Sequence, residues 1–480
     1  MFTTVAGTVL GLLAGGAMAE TVHGVVVFSR HGDRTTKHYG AQQLTNLGAS
    51  QNFQVGSDYR ARYIEADSPH RILNISEFNY IPSQVYASAP NQGILLNTAT
   101  AFLQGLYPPL VDLNSEIASQ TLNNGSESTS PLNGYQYVTL QGVSSNSPDA
   151  IWIKGDDGCP AVTEASSSFE TSTEFTTKLS STKDFYKSLF PVLKSVYDIK
   201  SPSDLSYAKS YDIYDLINVA RLHNASSPAQ DISDDQLFQL RTLADSAEFG
   251  YNFNASQPAR SIHAQTLSAA VLNQLNKTVT SEGKLKLSLL AGSYDAFLAF
   301  FGLTDLTSVS PNFYGLPGYA STMVFELYTP ETTTSFPAED ALRVRFLFKN
   351  GTTGSLDAFP LFGTKADSLS WNEFASQMSK RAIGTAEEWC SVCASTAGFC
   401  AAYANRDGVA AAGAGSAKGA MSNAVAGVVG AVVTLGVVGI VGLVVFLFVS
   451  RRRKAGNKSV VMMMADEKSV RSVSTGAGKV

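Results

Sequence analysis

The stretch Gly24-Val25-Val26-Val27-Phe28-Ser29-Arg30-His31-Gly32-Asp33-Arg34-Thr35 joins a continuous apolar run to a charged turn. An unbroken apolar run of this length fits a β-strand covered on both faces, as in the sheet of an α/β protein. Ligands in open α/β sheets bind at the carboxyl ends of the strands, so the turn that follows is where chemistry is expected. In it, His31 stands between the guanidinium groups of Arg30 and Arg34. An imidazole can attack phosphorus and split one difficult displacement into two. Guanidinium groups match phosphate oxygens with paired hydrogen bonds and stabilise the transferring group. Gly32 lets the backbone approach such a group closely. The same residues also suit an exposed polar loop, and local chemistry alone does not separate the two.

Outward from this turn, the ends of the chain have a different character. Residues 1–19 carry no side-chain charge, contain Val9-Leu10-Gly11-Leu12-Leu13 and close on Ala17-Met18-Ala19, the pattern of a secretory signal peptide. A buried N-terminal helix is the competing reading. Residues 424–449 are uncharged and Arg451-Arg452-Arg453-Lys454 follows, so a single transmembrane helix with a short cytosolic tail at 450–480 is expected. A cleaved lipid-anchor signal competes with it, but such a signal ends on apolar residues. An Ala/Gly-rich stalk at 406–423 separates this span from the ectodomain at 20–405. The uncharged stretches at 1–19 and 424–449 help to explain why only 16% of the 480 residues are charged, against roughly 25% in an ordinary globular protein. With 35 Lys and Arg against 40 Asp and Glu, the chain has no basic field for nucleic acid.

The expected topology puts the ectodomain outside the cell, facing a wall, or in a secretory or vacuolar lumen. Six N-x-S/T sequons fall there, at Asn74, Asn124, Asn224, Asn254, Asn276 and Asn350, and are glycosylation candidates. Cys159, Cys390, Cys393 and Cys400 make an even count, which in an oxidising compartment suggests two disulfides with three connectivities open. The Cys390-Ser-Val-Cys393 spacing also resembles half a zinc site or a redox pair, although no second cysteine pair or H-x3-5-H partner accompanies it. Helical stretches are expected at Lys183–Tyr197 and Asp235–Phe249. Strands are expected at Thr322–Tyr328 and Leu342–Phe348, with a hairpin signal at Asn350-Gly351.

Arg30-His31-Gly32 with Arg34 resembles the signature of the histidine phosphatase superfamily, in its acid phosphatase and phytase branch. Leu44-Thr45 with Gly48, Tyr59-Arg60-Ala61-Arg62-Tyr63, Ala101 to Pro109 and Phe300-Phe301-Gly302-Leu303 are similar to further blocks of that branch. The resemblance implies a phosphoglycerate mutase-like three-layer α/β/α core at about 20–110 and 261–400, with a mainly helical insert at about 111–260. It makes His31 the nucleophile, Arg30 and Arg34 the phosphate clamp, and Asp295 the proton donor, and it puts Thr35, Gln92 and Tyr294 at the pocket. The substrate it implies is a small phosphomonoester, and no metal or organic cofactor is needed.

Two departures from the family pattern stand out. A third phosphate-binding Arg is expected shortly before Ala101, yet Ser88 to Leu95 contains none, leaving Asn91 or Gln92 as neutral donors. A Gly-His-Asp-like motif is matched by Gly292-Ser293-Tyr294-Asp295, with Tyr294 where the His belongs. Each lost charged donor costs on the order of 1.5 to 3 kcal/mol of phosphate binding. His263 could stand in for the missing His but sits in a helical pattern and reads as structural. Asp33 is free to pair with Arg34. Two functions follow as expectations: an acid phosphatase working through a phosphohistidine at His31, or an impaired relative that binds an anionic ligand or a partner at the surface. The oligomeric state is open.

Overall fold

The strand expected at Gly24–Phe28 runs over Thr21–Arg30 (β1), and all ten of its residues are buried. Val25 and Val27 enter one apolar cluster and Val26 and Phe28 another, so β1 is packed on both faces, as its continuous apolar run predicts. The structure, a computed structural model, describes residues 20–194 and 199–404. The remaining strands of this sheet are Val85–Pro90 (β2), Gln141–Val143 (β3), Leu287–Gly292 (β4), Thr322–Thr329 (β5), Arg343–Lys349 (β6), Leu356–Phe359 (β7) and Ser368–Ser370 (β8). Their order is β8-β6-β5-β1-β4-β2-β3, with β7 alongside β6. β1, β4, β2 and β3 are parallel neighbours, while β5 to β8 join antiparallel. The four parallel strands therefore end at one edge. β3 lies in the stretch expected to belong to the insert, but it pairs with β2 and completes the core sheet.

Helices Asn46–Tyr63 (α1) and Gly93–Leu106 (α2) cover one face of the sheet, through Val55, Tyr59, Leu95 and Phe102. Ser210–His223 (α3) and Asp234–Asn252 (α4) belong to the helical segment beside the sheet, whose separate cluster includes Phe169, Phe175, Ile217 and Leu240. Ile262–Thr280 (α5) and Tyr294–Leu303 (α6) cover the second face, through Leu267, Val271, Phe297 and Phe300. The result is a mixed α/β fold in three layers. α4 extends the expected Asp235–Phe249 at both ends, and Ser233 and Gln236 form a capping box that fixes its start. The helix expected at Lys183–Tyr197 is instead two short ones, Lys183–Ser188 and Phe190–Leu193. Pro191 lacks the amide that a continuous helix would use there and opens the second piece.

The disulfides are Cys159–Cys393 and Cys390–Cys400, so the two cysteines of the C-x-x-C stretch belong to different bridges. Ile151, Val162, Ile262 and Trp389 pack around them. The expected signal peptide at 1–19, stalk at 406–423, membrane helix at 424–449 and tail at 450–480 lie outside the described residues. Among the described residues no helix is long and apolar enough to cross a membrane.

Candidate active site

The turn after β1 is fixed from beneath by the start of α1. Asn52 accepts from the Gly32 amide at 2.7 Å and donates to the Arg30 carbonyl at 3.1 Å, and Gln51 accepts from the Asp33 amide at 2.7 Å. The backbones meet closely: a Cβ on Gly32 would lie 2.2 Å from the Gly48 carbonyl oxygen, and one on Gly48 would lie 2.0 Å from that of Asp33. Neither position accepts a side chain without moving the turn. The end of β4 is tied to the same turn, since the His31 amide donates to the Gly292 carbonyl at 3.2 Å.

His31 is buried, and its Nδ1 lies 2.9 Å from the Gly32 carbonyl oxygen. A carbonyl only accepts, so Nδ1 carries the proton and Nε2 keeps its lone pair. Burial first, then the charges of Arg30 and Arg34, hold the imidazole well below its usual pKa. Both effects favour the neutral ring.

His31, Lys37, Gln92, Lys154, Tyr294 and Asp295 are among the residues lining a cavity of about 210 Å³. Gln92 opens α2 beyond β2, and Tyr294 and Asp295 open α6 beyond β4. Lys154 follows the short turn Pro148–Trp152 beyond β3. All four parallel strands thus deliver a residue to the cavity, as the carboxyl-end rule expects. A second cavity of about 380 Å³ shares Gln92 and Lys154 and is bounded further out by Asn91, Ser144 and Phe399.

The two arginines are engaged elsewhere. Arg30 donates to the Pro317 carbonyl, with its guanidinium 4.8 Å from the centre of the Tyr319 ring and 5.3 Å from that of Tyr294. Arg34 is fully buried, pairs with Asp215 at 2.9 Å and donates to the Tyr211 hydroxyl at 2.9 Å. Both of these partners come from α3. Asp33 does not pair with Arg34. It accepts from Thr45 and from His223, each at 2.6 Å, because the turn aims its carboxylate at the α1 cap and away from the guanidinium. Thr35 is exposed, and its hydroxyl accepts from the Gln43 amide at 3.0 Å, outside the cavity lining.

Around Asp295 the electrostatics are set by lysines. Burial alone would raise its pKa, but Lys154, His263 and Lys37 together with the Ala296 amide hold it well below the usual carboxylate range. Lys154 lies 3.6 Å from Asp295, 3.5 Å from Asp156 and 3.6 Å from Asp157. These carboxylates raise its pKa against the effect of burial. Tyr294 donates to Glu248 at 2.8 Å and accepts from the Lys37 ammonium at 3.1 Å. Burial pushes the Glu248 carboxyl up to about 7, against the pull of Lys37. His263 lies behind the site with Nε2 3.1 Å from the Asp295 carbonyl oxygen, and it bears on the cavity only through α6.

Lys37, Lys154, Asp215 and Glu248 were not singled out from sequence. Lys37 is three residues beyond Arg34 and could have been included with the turn. The others approach it only through the fold. Of the six sequons, Asn74, Asn124, Asn224, Asn276 and Asn350 are exposed and Asn254 is half-buried.

Comparisons with known proteins bear on the family and the fold. The family model "Histidine phosphatase superfamily (branch 2)" matches residues 36–349. The lysosomal acid phosphatase of Xenopus laevis is 25% identical over 332 residues, covering 66% of this chain and 68% of the relative. The prostatic acid phosphatase of Bos taurus is 24% identical over 330 residues, covering 66% and 76%. The phytase of Citrobacter braakii shares the fold, with a TM-score of 0.50 at 13% identity over 78% of this chain and 99% of that one. With a family match over more than half its length, the chain belongs to the histidine phosphatase superfamily, branch 2.

Proposed function

We propose that the protein is an acid phosphatase that hydrolyses phosphomonoesters through a phosphohistidine at His31. The observation that carries this reading is the neutral, buried imidazole whose Nδ1–H is held by the Gly32 carbonyl, at a cavity that also contains Asp295. Nε2 attacks phosphorus, the ester P–O bond breaks, and Asp295 gives a proton to the departing oxygen. Water then attacks the phosphohistidine, Asp295 takes a proton from it, and the N–P bond breaks to release phosphate. The first proton can arrive with the substrate. A monoester is a monoanion in acid, and bringing that charge beside Asp295 raises the carboxylate's proton affinity. The mechanism therefore runs best where the substrate still carries a proton and His31 Nε2 does not.

The location expected from the sequence is part of the same proposal: a signal peptide, a glycosylated lumenal or extracellular ectodomain, and one membrane-spanning helix. An impaired, ligand-binding role is the second reading, favoured by the engagement of Arg30 with Pro317 and of Arg34 with Asp215. Phosphate release from an aryl phosphate between about pH 3 and 7, compared with His31→Ala, separates the two. The enzyme reading expects turnover to fall by at least about a thousandfold in the variant, in line with loss of a covalent nucleophile. Equal rates would overturn it.

A further inference from the structure

We propose that Lys154 is a phosphate-binding residue of this site, supplying from the segment after β3 the positive charge that residues 88–95 lack. The proposal rests on the phosphatase reading of the His31 cavity and adds a group to it. Lys154 lines that cavity and also the neighbouring one, a position it shares with Gln92. A phosphoryl group at His31 would therefore share a cavity with Lys154.

The ammonium is placed but not saturated. Its three carboxylate neighbours, on Asp156, Asp157 and Asp295, stand at 3.5 to 3.6 Å. Charge-assisted N–H···O bonds close to about 2.7–2.9 Å, so a phosphate oxygen within the cavity can come nearer than any of the three. The other cations of the turn are more tightly engaged. Arg34 holds Asp215 at 2.9 Å, Arg30 holds the Pro317 carbonyl, and Lys37 donates to Tyr294 at 3.1 Å. Of the cationic side chains around the site, Lys154 has the longest contacts to its partners.

The backbone under Lys154 is anchored. Its amide donates to the Ala150 carbonyl at 3.1 Å, and the next carbonyl, of Gly155, accepts from Trp389 Nε1 at 2.8 Å. Gly155 packs so closely that a Cβ would lie 2.3 Å from Thr266 Oγ1, and Cys159 is bridged to Cys393. Ordering of this segment is therefore complete before an anion arrives, so binding does not have to meet that cost.

Lys154 also couples phosphate to the proton donor. Its ammonium faces Asp295 at 3.6 Å. When a phosphate oxygen takes its hydrogen bonds, the carboxylate loses part of the field that keeps it ionised and is readied to hold a proton. Lys37, His263, Asp157, Glu248 and Tyr294 remain as charged or titratable groups around it.

The test measures orthophosphate binding to the full-length protein near pH 5, by calorimetry and as inhibition of aryl phosphate turnover, for wild type, Lys154→Met and Lys154→Arg. Lys154→Met is expected to weaken orthophosphate binding about 10- to 100-fold and to raise KM in parallel, with Lys154→Arg recovering most of the loss. Should Lys154→Met fail to fold, Lys154→Met with Asp157→Asn removes one facing carboxylate along with the ammonium and carries the same comparison. A folded variant without the ammonium that binds orthophosphate within about twofold of wild type overturns the proposal. The outcome is separable from that of the phosphatase reading, because direct binding of orthophosphate is measured whether or not His31→Ala changes turnover.

Discussion

Asp215 takes the role expected of Asp33. It sits on α3, accepts from the Thr36 hydroxyl and the Lys37 amide at 2.9 Å each, and faces a guanidinium with no solvent exposure. Removing one member of a buried pair costs more than the pair contributes, because the partner charge is left uncompensated. Asp215→Ala is expected to destabilise the protein by about 3–5 kcal/mol in denaturant unfolding; an unchanged midpoint would mean that water replaces the carboxylate. Sequence could not foresee this pairing, since 181 residues separate the partners and both Asp33 and Asp215 offer the same chemistry. Glu248 provides a second residue-scale prediction. Its carboxyl is pushed up from 4.5 to about 7 in the folded protein, so the native state binds more protons than the unfolded one between those values. Stability should therefore fall as pH rises from about 4.5 to 7, by at most about 3 kcal/mol from this group, and the fall should be smaller in Glu248→Gln. Thermal melts at pH 5 and 7 for both proteins check the sign. A variant with the same pH slope as wild type would assign the effect to other groups.

At the scale of elements, what could be read in the sequence was what local pattern dictates. β1 follows from its apolar run and α4 from the helical stretch at Asp235–Phe249, and the strand pair ending at Asn350-Gly351 has its turn where the sequence put it, with Gly351 at φ +72°. The broken helix at Pro191 was missed because apolar spacing outweighed the proline, and β3 was missed because three residues in a Ser- and Asn-rich stretch have no period to detect. The contact between α1 and the His31 turn was legible only as the presence of two glycines. Their role is mutual: Gly32 and Gly48 allow the turn and the helix start to touch backbone to backbone. Gly48→Ala should push the turn off the helix, lowering stability by about 1–3 kcal/mol and reducing kcat more than KM, because it moves His31 without removing a cation. If stability falls while kcat is unaltered, the turn tolerates the displacement and the packing is purely structural.

Across the whole molecule, the proposed phosphate site draws on segments that a disulfide and the sheet bring together. The segment bearing Lys154 continues into Cys159, whose partner Cys393 is 234 residues away, whereas Cys390 and Cys400 are 10 apart. Even cysteine number gave two bridges, but the connectivity depends on how α5 and the final helices pack around Trp389, which no spacing rule contains. In the chain-entropy account a bridge stabilises by restricting the unfolded state, and the restriction grows with the logarithm of the loop. The long bridge should therefore outweigh the short one by about 3 kcal/mol, a difference that rests on this model. Cys159→Ser with Cys393→Ser is expected to lower Tm more than Cys390→Ser with Cys400→Ser. It should also weaken orthophosphate binding by loosening the support under Lys154, while the shorter bridge leaves that support in place. Equal losses of Tm in the two double variants would show that native packing around Trp389, rather than the unfolded chain, sets the contribution of each bridge. An unchanged phosphate affinity would show that the Trp389–Gly155 hydrogen bond is sufficient to hold Lys154 at the cavity.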